Sequence, residues 1–273
     1  MEKPIIAKHV FEVVAKEYVT PHYIRVWLQG EGAADFNQCT PGANNKIFIP
    51  PAGEKNVQFA TFDATKGEWV MPDEQVKPIV RTYTHRGMLT DKKQIIIDFV
   101  NHGDNGPAST WARAAAVHDQ LGVAMKIRET TLCPTDVQWY FLIGDATAIP
   151  VISCILESLP ASAKGICLIE VPTAEDIHPE VKHPGFTVQW LFNEHPEQGS
   201  LLAEEAKKQS IPTELSHFAY VACEYTSVKN LRHYFREELH WTNQDMYAFS
   251  YWKAGVAEDK SAQDRRQEKT GTA

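Results

Sequence analysis

The chain changes rhythm near its middle, and that change limits its fold more than any other feature. Before residue 130, short runs of alternating apolar and polar residues recur at 9–16, 22–28, 46–49, 57–62, 81–86, 94–100 and 122–127. Turn-forming pairs separate them: Thr20-Pro21, Gln29-Gly30, Pro41-Gly42, Pro50-Pro51 and Lys66-Gly67. Alternation with period two places successive side chains on opposite faces of a strand, and regular turn punctuation joins such strands into an antiparallel sheet. The expectation is a six-stranded antiparallel β-barrel, interrupted by one helix over 107–117.

After residue 138 the strands become almost wholly apolar, at 139–143, 165–171, 186–192, 217–222 and 246–252, with helical stretches at 147–159, 200–209 and 228–239. Apolar strands alternating with helices predict a parallel sheet covered on both faces. The expected organisation is therefore a barrel domain over 1–130, an α/β domain over 138–257 and a charged tail over 258–273. The polar, proline-containing segment "TTLCPTDV" marks the boundary. A length of 273 residues leaves room for two cores. The net charge of −8 disfavours nucleic acid as a partner, although a local basic pocket remains compatible with it.

The first barrel segment of chemical interest is "VRTYTHR", Val80 to Arg86. A half-buried strand has no need for two arginines and a histidine. A guanidinium offers paired N–H donors to a diphosphate, a tyrosine ring offers a flat wall to an isoalloxazine, and a threonine hydroxyl offers a hydrogen bond to the ring edge. Arg81 and Tyr83 share one face and Thr84 lies on the other. The alternative is a surface strand with two solvated arginines. The pattern R-x-Y-[ST] is similar to the flavin-binding motif of ferredoxin-reductase-like barrels.

A second segment, "FVNHGDNGPASTWARAA", turns through Gly103 and Gly106 and opens a helix at Pro107. Proline suits the first helical turn, and exposed amides at a helix start bind phosphate oxygens. Ala108 and Ser109 are small, and Ser109 adds a hydroxyl. The competing reading is an ordinary capped helix. A third segment, "YFLIGDATAIPVISCILESLP", runs from a strand through Gly144-Asp145 into a helix opened by Thr147 to Pro150. Doubly wound domains place ligands at such turns. The segment has no G-x-G-x-x-G, so a tightly held dinucleotide there is not expected.

These three segments, with "VPTAED" (171–176) and "YWKAG" (251–255), resemble the siderophore-interacting protein family of FAD-dependent ferric-siderophore reductases, over nearly the whole chain. The resemblance implies one non-covalent FAD, with electron transfer through it and no acid–base catalytic residue. It implies FAD contacts from Arg81, Tyr83, Thr84, Arg86, Asp98, Val100, His102, Gly106, Pro107, Ala108, Ser109, Trp111, Asp145 and Thr147. It implies a basic pocket for an anionic ferric siderophore, built from Lys46 in "NNKIFIP", Arg128 in "MKIRET" and Lys253 in "YWKAG". The chain departs from the family where Ala146 replaces an acid, where Cys223-Glu224 replaces Gly-Glu, and where Lys253 replaces arginine. The first two lie where a nucleotide would approach, so the electron donor stays open among NADH, NADPH and reduced ferredoxin.

The cysteines Cys39, Cys133, Cys154, Cys167 and Cys223 are scattered and never spaced C-x-x-C. They read as reduced thiols, and no protein-bound metal is expected. His178 and His183 fit no common zinc spacing, Glu175 and Asp176 read as a helix cap, and Trp27, Trp69 and Trp190 read as core or rim aromatics. No run reaches the ~18 apolar residues of a membrane span, and a cytoplasmic location is expected. Oligomeric state is not legible. Two other functions fit the same residues: a general NAD(P)H-dependent flavin or ferric reductase, and a ferric-siderophore binding protein without turnover.

Overall fold

The computed structural model describes residues 5–103 and 106–256. The charged tail over 258–273 lies outside the described residues. The chain forms two compact units, Met1–Thr130 and Thr131–Ala273.

The first unit holds strands β1 (Ile6–Thr20), β2 (Tyr23–Gln29), β3 (Asn44–Ile49), β4 (Thr61–Asp63), β5 (Glu68–Val70), β6 (Ile79–Thr84), β7 (Gly87–Leu89), β8 (Gln94–Val100) and β9 (Gln120–Lys126). Helix α1 (Pro107–Ala114) lies between β8 and β9. Seven strands form one sheet in the order β6-β3-β9-β1-β2-β8-β7, with every neighbouring pair antiparallel. Its two edges, β6 and β7, are consecutive in the chain. At the bend between them the His85 amide donates to Ala43 on the β3 side (2.9 Å), and the Arg86 amide donates to Ile96 on the β8 side (3.1 Å). Counted as one bent strand, β6 and β7 close the sheet into the expected six-stranded curl. The inward residues alternate as a strand period requires: Phe11 and Val13, Ile47 and Ile49, Ile95, Ile97 and Phe99, Leu121 and Val123 are all buried in one core.

Two expectations need correction. Residues 57–62 are not a barrel strand. Only Thr61–Asp63 is extended, and it pairs with Glu68–Val70 in a separate hairpin. The reason is Phe59, which packs edge-on to Phe48 at 5.0 Å over Gly122, where a Cβ would come within 2.7 Å of its ring. The segment thus lies across the outer face of the sheet rather than within it. Helix α1 also ends at Ala114, three residues early. Lys16 Nζ donates to the carbonyls of Arg113 (2.8 Å) and Ala115 (2.7 Å) and so satisfies its C-terminal end.

The second unit is a five-stranded parallel sheet in the order β12-β11-β10-β13-β14. Its strands are β10 (Trp139–Asp145), β11 (Lys164–Val171), β12 (Phe186–Phe192), β13 (His217–Glu224) and β14 (Met246–Trp252). Helices α2 (Ile149–Ser158), α3 (Leu202–Lys207) and α4 (Tyr225–His233) connect them, and α4 runs on into a π-helical turn, Tyr234–Glu238. Gly165 lets β11 lie close to β10: a Cβ there would meet the Tyr140 carbonyl at 2.2 Å. All five expected strands are present, because continuous apolar runs have only one way to bury both faces.

Candidate functional site

The register of β3 with β6 sets the faces of the arginine-bearing strand. Asn45 lies opposite Tyr83 and Ile47 opposite Arg81, while Lys46 lies opposite Thr82. Arg81 and Tyr83 therefore share the face of buried Ile47, and Thr82 and Thr84 share the face of Lys46. Tyr83 rests on Phe99 of β8, with ring centroids 4.8 Å apart. Phe99 in turn meets Trp111 of α1 at 5.6 Å. The β6 strand and the helix after the glycine turn thus converge through one buried phenylalanine. Arg81 Nη1 donates to the Val80 carbonyl at 2.7 Å, and Thr84 is buried within the sheet.

Asp98 does not offer its carboxylate to a ligand. Its side chain is fully buried. It accepts from Arg25 Nε at 2.8 Å and Arg25 Nη2 at 2.9 Å, and from the Tyr23 hydroxyl at 2.9 Å. Arg86 Nε stands 3.9 Å from it. Asp98 is a positioning residue that holds Arg86 at the bend. Burial, then the Asp98 charge, raises the Tyr23 phenol well above its ordinary value, so Tyr23 stays a donor.

The helix start shows a similar division of labour. Val100 ends β8, and Gly103 takes a left-handed φ of 72°. The Ser109 hydroxyl is buried and occupied: it donates to the Gly103 carbonyl at 2.9 Å and accepts from the His102 amide at 3.2 Å. It ties the turn to the helix. Gly106 is the N-cap and Pro107 the first helical residue, and glycine brings no side chain of its own to cap the end. Thr110 is the first residue to donate back along the helix, to Gly106. Helical geometry leaves the amides of Ala108 and Ser109 without intrahelical acceptors. The His102 ring lies beside Gly106, where a Cβ would approach its Cε1 to 3.0 Å.

Two further residues carry a signal that sequence reading missed. Asn45 and His85 are buried, and neither side chain has a hydrogen-bond partner. Burial alone lowers the His85 pKa to about 4. Each such orphaned group costs about 1–3 kcal/mol. Asn45 lies across from Tyr83 in register and His85 follows it by two residues; with the tyrosine wall, Arg81, Arg86 and the α1 backbone amides they make up the candidate set. That set fits a flavin dinucleotide: wall to ring, cations and amides to diphosphate. Asn45 stands beside Lys46 in "NNK", an apolar–polar alternation in which one asparagine must point inward; that was the available clue.

In the second unit, Asp145 and Thr147 are used internally rather than presented to a ligand. Asp145 accepts from the Thr147 amide at 2.9 Å, from the Thr147 hydroxyl, and from Trp252 Nε1 at 2.7 Å. Burial raises its pKa, opposed by those bonds. Glu170, beside it in register, accepts from the Leu201 amide at 2.7 Å and the Ser200 hydroxyl at 3.2 Å at the start of α3. Glu224 accepts from the Thr226 and Ser227 amides, capping α4, and from the Ala254 amide at 3.3 Å. Lys253 follows on β14, its ammonium 4.5 Å from the Tyr225 ring. In the first unit Lys46 is exposed on the outer face and donates to the Thr82 hydroxyl, and Arg128 is exposed just beyond β9.

A curled antiparallel unit followed by a five-stranded parallel one is the architecture of flavoprotein oxidoreductases of the ferredoxin-reductase type. A ferredoxin reductase of carbazole 1,9a-dioxygenase shares that fold, with a TM-score of 0.58 at 15% identity, covering 93% of this chain and 68% of that one. Within the class the match is closer. The family model "Siderophore-interacting FAD-binding domain" matches residues 12–125, and "Siderophore-interacting protein" matches residues 137–255. The chain is 32% identical over 259 residues to the ferric vibriobactin reductase ViuB of Vibrio cholerae, covering 94% of this chain and 93% of that one. It superposes on the siderophore-interacting protein SipS from Aeromonas hydrophila with a TM-score of 0.80 at 29% identity, covering 98% of this chain and 100% of that one. The chain belongs to the siderophore-interacting protein family, and its first unit is that family's FAD-binding domain.

Proposed function

We propose that the chain is a cytoplasmic FAD-dependent reductase of ferric siderophores that frees iron as Fe(II). The observation that carries this reading is the convergence of Tyr83 and Trp111 on Phe99, which joins the Arg81 strand to helix α1. FAD, when bound, would accept the donor's electrons and pass them singly to Fe(III). The chain's own residues do the holding. Tyr83 walls the ring, Arg81 and Arg86 meet the diphosphate, and the α1 amides take its remaining oxygens. Lys46 and Arg128 of the first unit attract an anionic ferric chelate electrostatically. Iron arrives and leaves as part of the substrate, held by the chelator.

The donor is proposed to be a small reduced ferredoxin in preference to NADH or NADPH. What supports this is that three carboxylates at second-unit strand ends already accept backbone amides: Asp145 in the turn before α2, Glu170 just ahead of α3 and Glu224 at the cap of α4. Such ends attract phosphate when open and repel it when already filled by carboxylates.

Anaerobic titration tests the function. The holoprotein is mixed with a ferric siderophore and each donor in turn, and Fe(II) is trapped by a coloured ferrous chelator. Turnover selective for the siderophore over ferric citrate supports the reading. Equal turnover with both makes the protein a general ferric reductase, and binding without turnover makes it a sequestering protein. Lys46→Ala should weaken binding of an anionic ferric siderophore about fivefold, the worth of roughly 1 kcal/mol for one exposed charge, while FAD stays bound.

A further inference from the structure

We propose that the β4–β5 hairpin and Lys8 form a subsite for an aromatic, anionic arm of the ferric chelate, beside Lys46. The inference rests on the reading above and names the substrate class more narrowly.

The register brings the residues together. Ala124 of β9 lies opposite Lys46 on one side and opposite Lys8 on the other. Lys46, Ala124 and Lys8 thus form one row across three strands on the outer face, with the two lysine backbones roughly 10 Å apart by strand spacing. Lys126, two residues along β9, faces the same way and is exposed. The nearest carboxylate on this face of β1 is Glu12, two rows away, where it meets His118 at 3.3 Å.

Aromatic rings rise beside this row. The Lys8 ammonium lies 4.5 Å from the Phe59 ring and 5.8 Å from the Trp69 ring. Trp69 packs edge-on to Phe62 at 5.5 Å, yet Trp69 is 62% exposed and Phe62 54% exposed. A solvated lysine row needs no indole, and an exposed indole gains little from water on its face. Asp63 and Glu68 lie opposite each other at the turn end of the hairpin, and the Asp63 carboxylate accepts from the Thr65 and Lys66 amides.

The occupant is set by charge and shape together. An ammonium beside an exposed ring suits a flat ligand that is both aromatic and negatively charged: the ring stacks on Trp69 and the oxygens face Lys8 and Lys46. A catecholate iron complex has these properties. A hydroxamate complex has the iron but no ring.

The test is a binding titration of the FAD-loaded protein without electron donor, followed by tryptophan fluorescence or calorimetry. The probes are ferric tris-catecholate and a ferric trihydroxamate. Trp69→Ala should lower the ratio of catecholate to hydroxamate affinity about 3- to 10-fold. Lys8→Gln should weaken the catecholate complex and flatten its salt dependence. Equal effects of Trp69→Ala on both probes, or none on either, overturn the subsite. So does a loss confined to reduction by ferredoxin, which would make the surface a docking site for an acidic protein. Chelate that binds as stated but is never reduced would overturn the reductase reading and leave the subsite standing.

Discussion

Two regions of this chain resemble each other in plan and differ in chemistry. Each is a strand end leading into a helix start. In the first unit, the end of β8 leads into α1 at Gly106, which brings no side chain to cap it, and the buried Asn45 and His85 side chains find no hydrogen-bond partner among the described residues. In the second unit, the ends of β10, β11 and β13 carry Asp145, Glu170 and Glu224, and those carboxylates accept the backbone amides that follow: in the turn before α2, just ahead of α3 and at the cap of α4. The first region keeps two buried polar side chains unpaired beside Tyr83. The second spends carboxylates on its own backbone amides. A helix start is therefore a ligand site only where the chain has not supplied its own cap.

The comparison can be broken at several points. Asp98→Ala leaves Arg25 buried without its partner, and should destabilise the first unit by about 3–5 kcal/mol in urea unfolding; a loss below 1 kcal/mol would mean the buried pair does not hold the bend. Next is pH. With a folded pKa of about 4, His85 refuses a proton that the unfolded chain accepts near 6.5. Stability should then fall as pH drops from 6.5 to 4, by up to about 3 kcal/mol, and His85→Leu should flatten that part of the profile. A parallel profile for the variant would show that the ring is not protected by burial.

Arg81→Ala and Arg86→Ala each remove a charge-assisted contact worth about 1.5–3 kcal/mol. FAD affinity, read from flavin fluorescence on release, should fall roughly 10- to 100-fold for each. Unchanged affinity would remove the arginines from the diphosphate. Smallest is Glu224→Ala, which uncaps α4 at a cost of about 1–2 kcal/mol and should leave the flavin absorbance as it is. If that variant also gains affinity for NADPH, the capping carboxylates are what keep the nucleotide out.

Much of this was legible in the residues. The apolar runs of the second half gave all five parallel strands, because both faces of such a strand must be buried. The motif "RTYTHR" marked the strand on which the proposed cofactor site is built. The segment 57–62 misled, because an alternating pattern cannot tell a strand within a sheet from a segment lying across it; Phe59 over Gly122 decides that. Asp98, Ser109, Asp145 and Thr147 were expected at the ligand, yet their polar atoms are bonded within the protein. Residue type shows that a group can bind, but not whether a neighbour has already claimed it.

The order of residues alone fixed the two-unit plan and the family, since periodicity and ordered motifs are properties of the chain. Only the folded molecule decided which donors and acceptors remain open, since that depends on partners far apart in sequence: Asp98 with Arg25, Trp252 with Asp145, Lys8 with Trp69. Hydrogen-bond capacity is consumed by proximity in space, and no local pattern records it.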